Sequence, residues 1–405
     1  MDTRPDGPPA SPDAPRIWWA TAMIGAAVIA LCYGFARYAY GLFAPRFSAA
    51  FDLGPVAVGA LSAVSTVGYV LGLLIAPAAS ARSARTTTLV AGTSAAVGLA
   101  VMALAPDVVY FAAGILVAGA GAGLVSPGVA QLIVETVRTQ ARARAQTWAN
   151  TGTGAGLALT AFTPLLPVGW RPVWLGFAVL AVIVTAVAAR SLPRTSAATA
   201  TTGPVKERPG PAVLVPLLLN AVLLGTVSAP YWTFSTSRVG EAGLSPTIAT
   251  WSWCAIGLGG LVSGTAGRAV ERHGLRVTGL AVWTTWSAGI ALLALPTPGP
   301  VGAIVSACVF GAGFMALTGL CILWAARLFP ETPSRGVTWG FLALGIGQTA
   351  GSSLAGAAAG VVGLGLTFAL TGLLGLVAWT QMHPRLAPPV RTDVERSVRR
   401  TGART

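Results

Sequence analysis

The sequence predicts an all-α integral membrane protein with twelve transmembrane helices in two repeated six-helix halves. Three observations carry this reading. Of 405 residues, 54% are hydrophobic and 9% charged, which leaves too little polar surface to cover a water-soluble chain of this length. Twelve apolar stretches reach or approach the ~20 residues that a membrane-spanning helix needs. The second half of the chain repeats the first at an offset of about 190 positions.

In order, the stretches are 17–43, 56–76, 88–104, 108–134, 147–166 and 173–189, then 213–236, 247–267, 277–295, 301–326, 337–362 and 364–382. The shortest, 88–104, needs flanking residues to complete a span. Only the region of Gly363 divides the last two. Residues 1–16, rich in Pro and Asp, are expected to form a disordered tail before the first bundle, 17–192. Residues 193–211 read as a flexible linker of Pro, Thr, Ser and Gly. The second bundle is 212–383. A basic tail, 384–405, ends on Arg399, Arg400 and Arg404; solvation and weak attraction to anionic lipid headgroups are both open for it.

The net charge of +14 is a topological signal. With the N-terminus placed in the cytoplasm, all but four of the 26 basic residues fall on that side. Arg46, Arg171 and Arg238 fall outside, and Arg37 lies within a span. Basic residues in short loops hold those loops on the cytoplasmic face. Both termini are therefore expected inside, in a multi-pass protein of the bacterial inner (plasma) membrane. Nucleic acid is not an expected partner, because there is no basic soluble domain to bind it. The first apolar stretch is too long for a cleavable signal peptide. Cys32, Cys254, Cys308 and Cys321 all lie in spans with no metal-ligand spacing, so no metal or cofactor is expected.

The repeat is legible at several places. Thr147-Trp148 matches Thr338-Trp339, and Gly154 and Gly156 match Gly345 and Gly347. Gly119 and Gly121 match Gly311 and Gly313, Gly68 and Gly72 match Gly260 and Gly264, and Gly34, Tyr40 and Phe43 match Gly225, Tyr231 and Phe234. Six spans per half is an even number, so the halves share one topology and are related by an axis along the membrane normal. Between the second and third spans of the second half lie Gly267, Glu271, Arg272, Gly274 and Arg276. These fit a loop motif G-x-x-x-D-R-x-G-R-[RK], with Glu271 for the acid and Leu275 at the first of the closing basic positions. The first-half copy keeps Arg82 and Arg85 but has Ala81 for the acid and Ala84 for the glycine. With this loop, two six-span halves and a long inner linker, residues 17–383 resemble the major facilitator superfamily. The resemblance implies a transporter that moves a small solute by rocking one bundle against the other. It also implies that the first helix of each half lines a central cavity.

Arg37 is the only charged residue within any of the twelve stretches. Ionisable groups in a bilayer are costly and mark function. Lining the cavity, Arg37 would favour an anionic group through charge-assisted hydrogen bonds; near the outer end of its span, it could instead snorkel to the interface. Gln348, Asn150 and Asn220 are further candidates for substrate contact. Helix-to-helix bonding is the alternative for these amides and for Gln131. Tyr40 and Tyr231 occupy equivalent places in the first helix of each half and join the substrate-binding set. Trp232, Trp251 and Trp253, like Trp18, Trp19, Trp148 and Trp339, fit interfacial anchoring at least as well as ligand stacking. At the inner surface, Glu271 and Arg272 read as a latch, with Arg82 and Arg85 facing Glu135; ordinary topology-setting charge is the competing reading.

No carboxylate lies mid-membrane, and the two histidines, His273 and His383, lie at or beyond span ends. Proton-coupled relatives commonly titrate a buried acid or histidine, so Glu135 is the nearest candidate proton site. The sequence therefore points to a secondary transporter of a small organic solute, with Arg37 favouring an anionic one, and leaves efflux and uptake both open. An uncoupled facilitator or exchanger, and proton-coupled multidrug efflux through Glu135, are the alternatives. An enzyme is not expected, because the acids and histidines are scattered rather than clustered. A monomer in contact with membrane lipid is the expected form.

Overall fold

The computed structural model describes residues 14–193, 210–262, 266–329 and 333–378. The expected N-terminal tail, most of the linker and the basic C-terminal tail lie outside the described residues. Within them, all regular structure is helical. Helix α1 runs through Ala14–Ile29, a π-helical Ala30–Tyr38 and Ala39–Phe51. The first half continues with α2 (Pro55–Arg82), α3 (Ala84–Leu104), α4 (Val108–Thr136), α5 (Thr139–Ala161) and α6 (Trp170–Ser191). The second has α7 (Pro211–Glu241), α8 (Pro246–Val262), α9 (Ala266–Leu292) and α10 (Gly299–Leu328). The continuous Pro333–Ala378 is two helices, α11 (333–362) and α12 (364–378), broken at Gly363.

Turn chemistry decides several of these boundaries. Gly363 (φ 78°, ψ 166°) and Gly274 (φ 81°, ψ 162°) adopt the same backbone conformation, one open essentially to glycine alone. Gly274 therefore carries the turn that the loop motif demands, and it sets a short helical segment before the membrane-spanning part of α9. The first half needs no glycine there. Ser83, at φ −163° and ψ 106°, is simply extended, and its hydroxyl accepts from the Thr86 amide to cap α3. Asp107 caps α4 in the same way, accepting from Val109 and Tyr110.

Most of the helices are long and apolar enough to span a membrane by composition alone; α5, α8 and α9 fall short of that measure. Helix α8 is described over 17 residues, up to Val262, while α5 and α9 begin with basic turns around Arg142 and Arg268. The packing supplies what composition lacks. Arg142 donates to the Val134 and Val137 carbonyls at the end of α4 (2.6 and 3.0 Å). Arg85 donates to Ala189 and Leu192 at the end of α6 (2.5 and 3.2 Å). On the opposite face, Arg171 closes α3 through Ala103 and Ala105, and Arg238 closes α9 through Leu293 and Leu295. A helix C-terminus carries partial negative charge and unpaired carbonyls, and a guanidinium satisfies both.

Side-chain size is distributed as a bilayer requires. Large aliphatic residues such as Leu74, Val182 and Val361 face outward, and glycines lie where helices cross. The duplication reappears as repeated crossings. A Cβ on Gly34 would lie 2.5 Å from the backbone of Gly156, and one on Gly225 would lie 3.0 Å from that of Gly347. Helix α1 thus crosses α5 as α7 crosses α11. Gly119 abuts the Ser65 carbonyl, and Gly311 abuts that of Ile256. Gly154 and Gly345 face the other half: Gly154 meets Gly257 of α8, and Gly345 meets Tyr69 and Val70 of α2.

The halves are drawn together on the face opposite the linker. Ser62 bonds to Thr233 (2.7 Å) and Ser352 (3.1 Å), and Thr66 bonds to Thr349 (2.9 Å). Gly59 packs on the backbone of Gly356, and Phe162 meets Trp251 edge-on at 5.4 Å.

Candidate functional site: a polar cavity on the seam between the halves

The π-helical stretch of α1 builds the site. Its i→i+5 hydrogen bonding admits an extra residue per turn, and such segments recur at functional sites. Here it sets Tyr33 and Tyr38 on one side, with ring centroids 6.0 Å apart, and sends Arg37 toward the other half. Arg37 is only 5% exposed. Its guanidinium lies over the rings of Tyr69 (4.0 Å), Tyr38 (5.1 Å) and Tyr33 (5.8 Å). It donates to Gln348 Oε1 across the seam at 2.5 Å and to the Tyr38 hydroxyl at 3.3 Å. Gln348, 2% exposed, donates in turn to Ser228 Oγ at 3.3 Å.

Arg37, Tyr38, Tyr40, Trp232 and Gln348, with Ser62, Ser65, Thr66 and Ser352, enclose a cavity of about 20 Å³ open to the centre of a water-sized sphere. That is room for a water or two in this closed form. The Tyr38 and Trp232 rings stack across the seam at 4.0 Å. Arg37 makes no ion pair among the described residues. Aromatic faces stabilise a cation, but they supply no countercharge. The cavity is therefore a donor-rich environment with a net positive charge.

Of the residues singled out in the sequence, Arg37, Tyr40 and Gln348 converge on this cavity; the Tyr40 hydroxyl donates to the Val58 carbonyl at 2.9 Å. Arg37 does not snorkel. Tyr231 turns into the second bundle instead, stacked on Phe310 at 3.9 Å and bonded to Ser306 at 3.0 Å. Asn220 is buried in that bundle too, accepting from Trp283 (3.1 Å) and donating to Cys321 (3.0 Å). Asn150 is exposed and accepts from Gln146 on its own helix at 3.0 Å. Glu135 accepts from Gln131 at 2.9 Å, and its second oxygen is buried without a partner. The expected meeting of Arg82 and Arg85 with Glu135 is not formed: Arg85 is engaged on α6 and Arg82 is exposed. Gly267, Glu271, Arg272 and Arg276 are exposed on the linker face.

Trp251, Trp19, Trp148 and Trp339 are exposed, as the interfacial reading of the tryptophans requires. That reading fails for Trp232 and Trp253, which are buried at the seam and behind it. Tyr38, Trp232 and the Ser/Thr lining were not singled out as site residues from the sequence. The adjacency of Tyr38 to Arg37 is the one local signal that could have found any of them.

Comparison with known proteins bears on the fold and the family. No curated protein matches the chain in sequence. Among solved structures, it is similar to the xylose transporter XylE from E. coli in a partially occluded inward-open conformation (14% identity, 93% of this chain and 99% of that one, TM-score 0.73). It is similar to a mutant of the nucleoside transporter NupG (13%, 89% and 98%, TM-score 0.72). It is also similar to an inward-facing, occupied bacterial homologue of the human lysosomal transporter Spinster (14%, 92% and 97%, TM-score 0.69). At these identities the likeness speaks to the fold. The family model that matches is described as an uncharacterised MFS-type transporter, YbfB, and it covers residues 29–380. A match over most of the chain settles the family: this protein belongs to the YbfB-type transporters of the major facilitator superfamily, and is not an enzyme.

Proposed function

We propose that the protein carries a small organic anion across a bacterial inner membrane by alternating access at the Arg37 cavity, with the linker face in the cytoplasm. The observation that carries this reading is a buried guanidinium on the seam between the halves, hydrogen-bonded but without a carboxylate. An anionic group entering the cavity would supply the missing charge and accept from a donor set already aimed inward. Because the Arg37–Gln348 bond joins the two halves, a ligand that takes over Arg37 also loosens the closure. Glu271 and Arg272 on the linker face are placed to pair when that face closes in turn. The absence of a carboxylate from the cavity lining favours transport without proton coupling, in efflux or uptake.

The test is thermal stabilisation of the purified protein by a panel of small organic anions, cations, sugars and amino acids, since a ligand of the folded state raises its apparent stability. Stabilisation confined to anions, and lost in Arg37→Gln without loss of folded protein, is the expected result. Stabilisation by hydrophobic cations, unchanged in Arg37→Gln, overturns the anion reading. It would point instead to Glu135, whose buried oxygen lacks a partner. Transport into proteoliposomes that persists after the proton gradient is collapsed supports the uncoupled mode.

A further inference from the structure

Behind the Trp232 ring lies a second, smaller cavity of about 10 Å³, enclosed by α7, α8 and α10. Its wall includes Tyr231, Ser235, Ser252, Trp253 and Ile256. Two of these are buried polar groups without a hydrogen-bond partner: the Trp253 Nε1–H, on a side chain 1% exposed, and the Ser252 hydroxyl, on one 7% exposed. Trp232, which lines the Arg37 cavity, also has a buried Nε1 without a partner. Buried polar groups in native proteins are overwhelmingly paired, and each exception calls for an explanation. Three in one neighbourhood call for a shared one. Trp232 of the first lining and Trp253 of the second are in ring contact. The Trp232 and Trp253 centroids are 6.0 Å apart, edge to face, and a Cβ on Gly41 of the first cavity would lie 3.3 Å from the Trp253 ring.

We infer that the two cavities are the two ends of one substrate site, and that its ligand is an organic anion carrying a hydrogen-bond-accepting oxygen remote from its charge. This rests on the anion reading above. Arg37 receives the charged end. The far end is received by indole N–H groups, which donate and never accept, and by a hydroxyl that can do either. A hydroxyl, carbonyl or ether oxygen satisfies that set; a plain hydrocarbon tail leaves it unpaired, which is how a donor-lined site rejects an otherwise similar molecule. A swing of the Trp232 side chain joins the two spaces.

The experiment uses the full-length purified protein and two matched pairs of probes, hexanoate with 6-hydroxyhexanoate and octanoate with 8-hydroxyoctanoate. Binding is read by thermal shift across a concentration series. At least one hydroxylated acid is expected to bind about fivefold or more tighter than its parent, as one newly satisfied buried donor implies. Trp253→Phe should abolish that gain, so that the hydroxylated acid binds no tighter than its parent. This variant removes an N–H that bonds nothing in the fold, but part of the indole ring goes with it, so a smaller change is read beside it. Ser252→Ala serves as the second variant. Equal binding within both pairs overturns the inference while leaving the anion reading intact. So does a Trp253→Phe variant that keeps the gain, which would mean the donors serve a structural water. Failure of all four acids to bind, with no effect of Arg37→Gln, removes the anion reading and the inference with it.

Discussion

Replacing Gln348 by Leu removes the acceptor of a hydrogen bond that joins the two halves across the cavity. The bond is short, charge-assisted and buried on both sides. Hydrogen bonds to charged groups contribute about 1.5–3 kcal/mol. A loss of ~2 kcal/mol from the closed form alone shifts the closed-to-open ratio by roughly 30-fold, at 1.4 kcal/mol per tenfold. Arg37 keeps its three tyrosine rings and the Tyr38 hydroxyl, so the bundles themselves should stay folded. The assay is the labelling rate of Ala229→Cys, a buried position on the cavity wall. It is made in a background lacking Cys32, Cys254, Cys308 and Cys321, with an impermeant maleimide supplied to one face at a time. The rate from the face opposite the linker should rise by roughly 30-fold in Gln348→Leu, following the open population. A rate that stays within threefold of the parent, or a rise only from the linker face, would refute the assignment of this bond to closure.

Two further outcomes follow from the backbone and the caps. Gly274→Ala and Gly363→Ala each force a Cβ into a conformation reserved for glycine, and each should cost about 1–3 kcal/mol in unfolding experiments; Ala84→Gly, beside the extended Ser83, should not show a comparable loss. Arg85→Ala should lower stability by about 1 kcal/mol, as loss of a helix cap does, while leaving transport rates intact. A transport defect without destabilisation would restore its reading as a gate residue.

The residues legible in the sequence are those whose chemistry is rare in a bilayer. Arg37 and Gln348 stand out because a charge and an amide are expensive among apolar neighbours. The twelve spans and the repeat were legible for the related reason that membrane helices need length and apolarity, and close crossings need glycine. The rest of the cavity lining offers no such contrast, since serine and threonine are ordinary in membrane helices. A tryptophan near a span end looks the same whether it faces headgroups, as Trp251 does, or the seam, as Trp232 does. Tyr231 shows a subtler limit. It aligns with Tyr40, yet α1 carries a π-helical insertion upstream and α7 is α-helical throughout. The two helices therefore do not present corresponding side chains in the same direction, and in α7 Trp232 rather than Tyr231 lines the cavity. The basic loop residues were legible as topology, but their partners were not. A guanidinium that caps a neighbouring helix is set by three-dimensional proximity, as Arg85 on α6 illustrates.

The crossing of α5 and α8 at Gly154 and Gly257 is a bearing. Backbone meets backbone there, with the Leu157 and Leu261 side chains beside the contact. Two surfaces that meet on so little side chain can turn with little unmeshing, so friction at the axle is low and much of the resistance to rocking sits out at the rim. Besides the Tyr38–Trp232 and Phe162–Trp251 ring contacts, resistance at the rim comes from a few hydroxyl pairs at Ser62 and Thr66 and from one guanidinium. Contacts of that kind are exchanged readily for water or for cargo. Substituting a bulky residue at Gly154 would then act as grit rather than as a hole. It would slow the exchange between states more than it shifts the balance between them.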